Sequence, residues 1–75
     1  MNKLRRKIVS DSIAYLESIL SDLESVKDEE SEVMDNLSEH FEGTERYMAI
    51  ENNVEMLDSA VDSLNDVLDA LKEVE

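Results

Sequence analysis

The sequence predicts an all-α protein, a long antiparallel helical hairpin that dimerises into a four-helix bundle. Three observations carry this. Apolar residues recur at steps of three and four in both halves of the chain; a single glycine, Gly43, and no proline interrupt its 75 residues; and each apolar stripe is wider than a two-stranded seam uses.

Helix one is placed over about 3–37. Val9, Leu16, Ile19, Leu23, Val26, Val33 and Leu37 form its stripe, broadened by Ile8, Ile13, Leu20 and Met34. The connection is placed at 38–43, a length usual between paired helices. Thr44 follows as a hydroxyl cap, and Glu45 faces the positive end of the next helix. Phe41, between Leu37 and Tyr47, reads either as a plug closing the end of the bundle or as a contact residue at the tip. Helix two is placed over about 44–74, where Tyr47, Ile50, Val54, Leu57, Val61, Leu64, Leu68 and Leu71 recur through four heptads, widened by Ala60, Val67 and Val74. The chain is thus one helical-hairpin domain over 1–75.

Each stripe takes about three of every seven positions, so each helix needs more than one neighbour. This predicts self-association, most simply as a homodimer. The assigned seam is Leu16, Ile19, Leu23 and Val26 on helix one, with Val54, Leu57, Val61, Leu64, Leu68 and Leu71 on helix two.

Composition narrows the function. At 8.6 kDa the chain is too small for a multidomain enzyme, and a net charge of -13 argues against nucleic acid as a direct ligand. There is no cysteine, so disulfides and thiolate metal sites are excluded. The longest apolar run, Ile13 to Leu16, is too short for a membrane span or a signal-peptide core, so the chain reads as soluble and unprocessed.

Charge is distributed unevenly. Lys3, Arg5, Arg6 and Lys7 open the chain, whereas residues 8–75 carry all 20 acids against three bases, a net charge of -17. In a hairpin the basic start lies beside Glu73 and Glu75 and is expected to pair with them; the other reading is a phosphate or membrane contact. On helix two, Glu51, Glu55, Asp58, Asp62, Asp66, Asp69 and Glu73 stand three or four residues apart as one anionic ribbon. Like charges at that spacing repel by a few tenths of a kcal/mol per pair. The ribbon is either a solvated face or a surface that meets a basic groove on a partner.

The window Lys27, Asp28, Glu29, Glu30, Ser31, Glu32 has no apolar residue, and Glu30 falls at a seam position opposite Asn52 and Asn53. Two readings stay open. One is a polar layer that fixes register or oligomeric state; the other is a weak point where the helices splay to admit a ligand or partner.

The residues of catalysis are missing. His40 is the only histidine, with no Glu-x-x-His pair, no Gly-rich phosphate loop and no nucleophile elbow. Paired carboxylates on a solvated ribbon lack the desolvation that tunes an acid or base. The expectation is a non-enzyme with no catalytic, metal or cofactor site.

The stretch Asp35-Asn36-Leu37-Ser38-Glu39-His40-Phe41-Glu42-Gly43-Thr44-Glu45-Arg46-Tyr47 lies between the basic start and an acidic repeat ending Leu-Asp-Ala-Leu. It resembles small acidic helical proteins encoded by phages and mobile elements of Gram-positive bacteria. Their connection commonly reads Asp-Asn-Leu-Pro-Glu-Asn-Leu-Gln-Gly-Ser-Glu-Arg-Tyr, so Ser38 replaces Pro and Phe41 replaces Leu. The resemblance implies a helical hairpin acting in the cytoplasm of a bacterial host cell; it carries no activity and no catalytic residue. Phe41-Glu42-Gly43 is also similar to the Trp-x-Gly turn of the small helical hairpins of type VII secretion, with Trp replaced.

The functional expectation is an acidic protein-binding module, a phage-encoded inhibitor of a host defence or nucleic-acid-handling protein. It would act through the acidic ribbon, with Phe41 and Arg46 at the tip as further contacts. The alternatives are an oligomeric bundle that sequesters a signalling nucleotide, using the seven Lys and Arg residues, and a structural or assembly hairpin.

Overall fold

A computed structural model describes residues 1–37 and 43–74. The chain forms two helices packed as a hairpin, α1 (Lys3–Asn36) and α2 (Glu45–Lys72), with no strand among the described residues. At 1.5 Å per residue they are about 51 and 42 Å long, and the molecule is a rod of 59 × 15 × 13 Å.

Side-chain caps start both helices. Asn2 is extended, and its Oδ1 accepts from the Arg5 N–H at 2.8 Å; Thr44 is extended, and its Oγ1 accepts from the Tyr47 N–H at 3.3 Å. Gly43, with φ +84°, occupies the left-handed region that leads the chain into the Thr44 cap. α2 suits its dipole, with Glu45 in its first turn and Lys72 in its last. α1 does not. It opens on Lys3, Arg5 and Arg6 without an acid, and its last turn carries no base.

In each helix the half-buried and buried residues follow one heptad, abcdefg, with a and d facing the other helix. On α2 the a column is Tyr47, Val54, Val61 and Leu68, and the d column is Ile50, Leu57, Leu64 and Leu71. On α1 the a column is Ile13, Leu20, Lys27 and Met34, and the d column is Val9, Leu16, Leu23, Glu30 and Leu37. Among the described residues Ile50, Val61 and Leu68 are the buried ones, and none is fully enclosed, because one neighbouring helix covers each seam residue from one side only.

The hairpin contact on α1 thus runs through columns d and a. Helix one carries three apolar columns, d, a and g, the last being Ile19, Val26 and Val33. The fold joins d with a. Val26 and Val33 are left 47% and 41% exposed, and Ile19 is half-buried at the edge. Volume accounts for the choice, since Ile13, Leu20 and Met34 offer more apolar surface than Ile19, Val26 and Val33. It also draws Lys27 into the seam beside Glu30, opposite uninterrupted apolar columns on α2.

Candidate functional site

Two faces flank the seam, and they differ in chemistry. On one side stand the e and b columns of both helices. Glu17, Glu24, Asp28 and Asp35 come from α1, and Glu51, Glu55, Asp58, Asp62 and Asp69 from α2. Lys72 Nζ lies 3.7 Å from Glu17 Oε1, and a shallow groove of about 230 Å³ is lined by Glu17, Ser21, Glu24, Asn65, Asp69 and Lys72, so these columns share one side of the hairpin. Asp66 and Glu73, also of the predicted ribbon, are in the f column at the back of α2. The ribbon thus spans the acidic side and wraps behind the helix, with all seven carboxylates exposed.

The g and c columns lie on the other side. On α2 they run Arg46, Ala49, Asn53, Met56, Ala60, Ser63, Val67, Ala70 and Val74, with no acid among them. On α1 they run Ile8, Ser12, Tyr15, Ile19, Asp22, Val26, Glu29 and Val33. Tyr15 is 71% exposed, and Ile8 and Met56 are likewise open to solvent. Single exposed apolar residues are ordinary, whereas Ile8, Tyr15, Val26, Val33, Met56 and Val67 gathered along one side of a rod, with polar residues between them, make an unpartnered face. The widened stripe of the sequence carries this signal, since a stripe wider than one seam holds both the columns that pair the helices and a column left over.

A polar layer crosses the seam between the two faces. Lys27, at an a position, leans to the acidic side and its Nζ donates to Asp58 Oδ1 at 3.2 Å. The hydrogen bond to Asp58, together with the negative charges of Asp58, Asp28 and Asp62, holds the Lys27 ammonium above its ordinary pKa against a smaller opposing effect of burial. Glu30, at a d position, leans to the neutral side, where the Asn53 amide approaches its Oε2 at 3.5 Å. The juxtaposition of Glu30 with Asn53 follows from the register, and Lys27, from the same apolar-free window, enters the layer because the a column faces α2.

At the open end, Met1, Arg6, Val9, Ile13, Leu71 and Val74 line a groove of about 520 Å³. The expected pairing of the basic cluster with Glu73 does not form among the described residues. Lys7 instead donates along its own helix to Asp11 at 2.6 Å, because an i,i+4 partner is nearer than a residue on the other helix. Glu75, Phe41 and His40 lie outside the described residues. Arg46 is exposed on the first turn of α2, on the neutral side.

Among the described residues no group of three or more His, Cys, Asp or Glu side chains is arranged to hold a metal ion, and no helix is long and apolar enough to cross a membrane. No protein-family model, curated protein or solved structure matches this chain.

Proposed function

We infer that this hairpin is a non-enzymatic protein-binding module that pairs with itself into a four-helix bundle and presents acidic surfaces to a basic partner. The observation that supports the binding role is the segregation of charge. Nine carboxylates from both helices stand on the side that Lys72 and Glu17 define, although mixing them with the neutral residues would have reduced their mutual repulsion. A rod 59 Å long with charges at helical spacing offers a basic groove a long, regular anionic surface, as a nucleic-acid backbone does. The resemblance of the connection to phage-encoded hairpins extends the proposal to setting: an inhibitor of a host defence or nucleic-acid-handling protein in the bacterial cytoplasm.

Affinity capture from host lysate, repeated across a salt titration, tests this reading. Capture of one basic protein that weakens steeply with salt, and that is lost on charge reversal at Glu55 and Asp62, is the expected result. Capture indifferent to salt and to both reversals removes the charge-based reading.

A second reading rests on the groove at the open end, which is lined by Arg6 and Lys72 together with apolar Val9, Ile13 and Leu71. There the bundle would sequester a small anionic nucleotide. Calorimetric titration with cyclic nucleotides decides it, and an absence of heat rejects it.

A further inference from the structure

We propose that the neutral g and c face of the hairpin is covered by the same face of a second copy, with the twofold axis parallel to the helices, so that α1 of each copy lies over α2 of the other. This deepens the self-pairing inferred above, rests on it, and assigns its surface and arrangement.

The levels of residues along the rod fix the fit. The pairs Glu30 with Asn53, Lys27 with Asp58 and Glu17 with Lys72 set the heights of the two helices, which places Val26 level with Ala60, Ile19 with Val67 and Tyr15 with Ala70. A twofold axis along the rod keeps every residue at its own height while exchanging left for right. Tyr15, Ile19 and Val26 of one copy then lie over Ala70, Val67 and Ala60 of the other. At each of these three levels the α1 residue is larger than the α2 residue it meets, so bulky side chains meet smaller ones there, as close packing requires. Stacking α1 on α1 would instead set bulk against bulk.

Charge selects the same occupant and the same side. A chain of net charge -13 cannot bring its acidic sides together without opposing like charges, whereas this face carries two carboxylates, Asp22 and Glu29. Both are in the c column, the outer of the two rows on α1, which falls at the solvated rim of the contact; the inner g column contributes Ile19, Val26 and Val33. Asp22 is level with Ser63, whose hydroxyl is a donor for it. The face is long enough: 59 × 15 Å gives a footprint on the order of 900 Å² per copy, beside roughly 800 Å² per partner for a stable complex. Two acidic sides then point outward in opposite directions.

The chain has no cysteine, so single-cysteine variants report the arrangement directly. Val26→Cys and Ala60→Cys protein are mixed, refolded together and oxidised, with helicity checked by circular dichroism and mass by sedimentation. Ile19→Cys with Val67→Cys serves as a second pair should either first variant fold poorly. The expected result is a disulfide-linked dimer containing one chain of each kind, little cross-linking of either variant alone, and loss of the cross-link when Asp62→Cys replaces Ala60→Cys. A dimer by sedimentation that gives no mixed disulfide with either pair overturns the assigned face while leaving self-pairing intact. A monomer at micromolar concentration overturns both, and neither result bears on whether the acidic side binds a partner.

Discussion

Lys27 Nζ reaches across the hairpin to Asp58 Oδ1 at 3.2 Å, from a seam position where every counterpart on α2 is apolar. Its side chain is 25% exposed, so the aliphatic stem lies along the seam and the ammonium emerges on the acidic side. Because the folded state holds this ammonium above its ordinary pKa of 10.5, the pair stabilises the fold at pH values below that and loses the contribution as pH rises through the elevated folded value. The melting temperature of Lys27→Met protein is therefore expected to fall less between pH 9 and the alkaline limit than that of the unaltered chain. Parallel curves would remove the pair from the stability of the fold.

Glu30 occupies the other half of the polar layer, with a weak amide contact at 3.5 Å from Asn53. Glu30→Leu completes the apolar d column and is expected to add about 1 kcal/mol, which for a domain of this size raises the melting temperature by roughly 4–8 °C. A thermal melt followed by circular dichroism measures it. If the layer fixes register, the variant gains stability and its oligomeric mass spreads; a fall in melting temperature would show that Glu30 has stabilising partners beyond Asn53.

The entry to α2 depends on two adjacent residues. Thr44→Ala removes the side-chain acceptor of the Tyr47 N–H and is expected to cost about 1 kcal/mol, whereas Thr44→Asp keeps an acceptor and the favourable charge at the helix start. Gly43→Ala places a side chain at φ +84°. Nothing lies within 4 Å of the added carbon, so its cost of roughly 1–2 kcal/mol comes from the backbone alone. Urea titration of the three variants checks both figures; equal stability of Thr44→Ala and Thr44→Asp would deny the capping role.

Crowding of acids on one side has a stability signature of its own. The melting temperature is expected to rise when sodium chloride is increased from a few millimolar to about 0.5 M, because screening relieves repulsion among carboxylates within a Debye length. Asp62→Lys, placed between Asp58 and Asp66 on α2, should capture a few tenths of a kcal/mol of that gain at low salt and show a weaker salt response. An unchanged salt response would mean that the acidic side is already relieved.

Much of this architecture was legible in the chain. Period, breaks and caps are local properties, so the two helices, the turn at Gly43 and the seam of α2 follow from residues close in sequence. Which columns of α1 meet α2 is not a local property, because three apolar columns compete there and the winner depends on which face of α2 they meet. For the same reason the ribbon appeared as one feature of helix two. Its enlargement by Glu17, Glu24, Asp28 and Asp35 is a property of the paired helices, visible once Glu17 and Lys72 are known to share a side. Lys27 illustrates the remaining difficulty: a lone base among acids reads as surface until its stem is found in the seam.

Sedimentation equilibrium of three proteins at micromolar concentration tests most directly that the hairpin has one self-pairing face and one free acidic face. The unaltered chain should weigh twice 8.6 kDa, Ala60→Glu should weigh 8.6 kDa while keeping its helicity, and Asp62→Lys should stay double. A single-chain mass for the unaltered protein, or a dimer that survives Ala60→Glu and is lost on Asp62→Lys, would contradict the account.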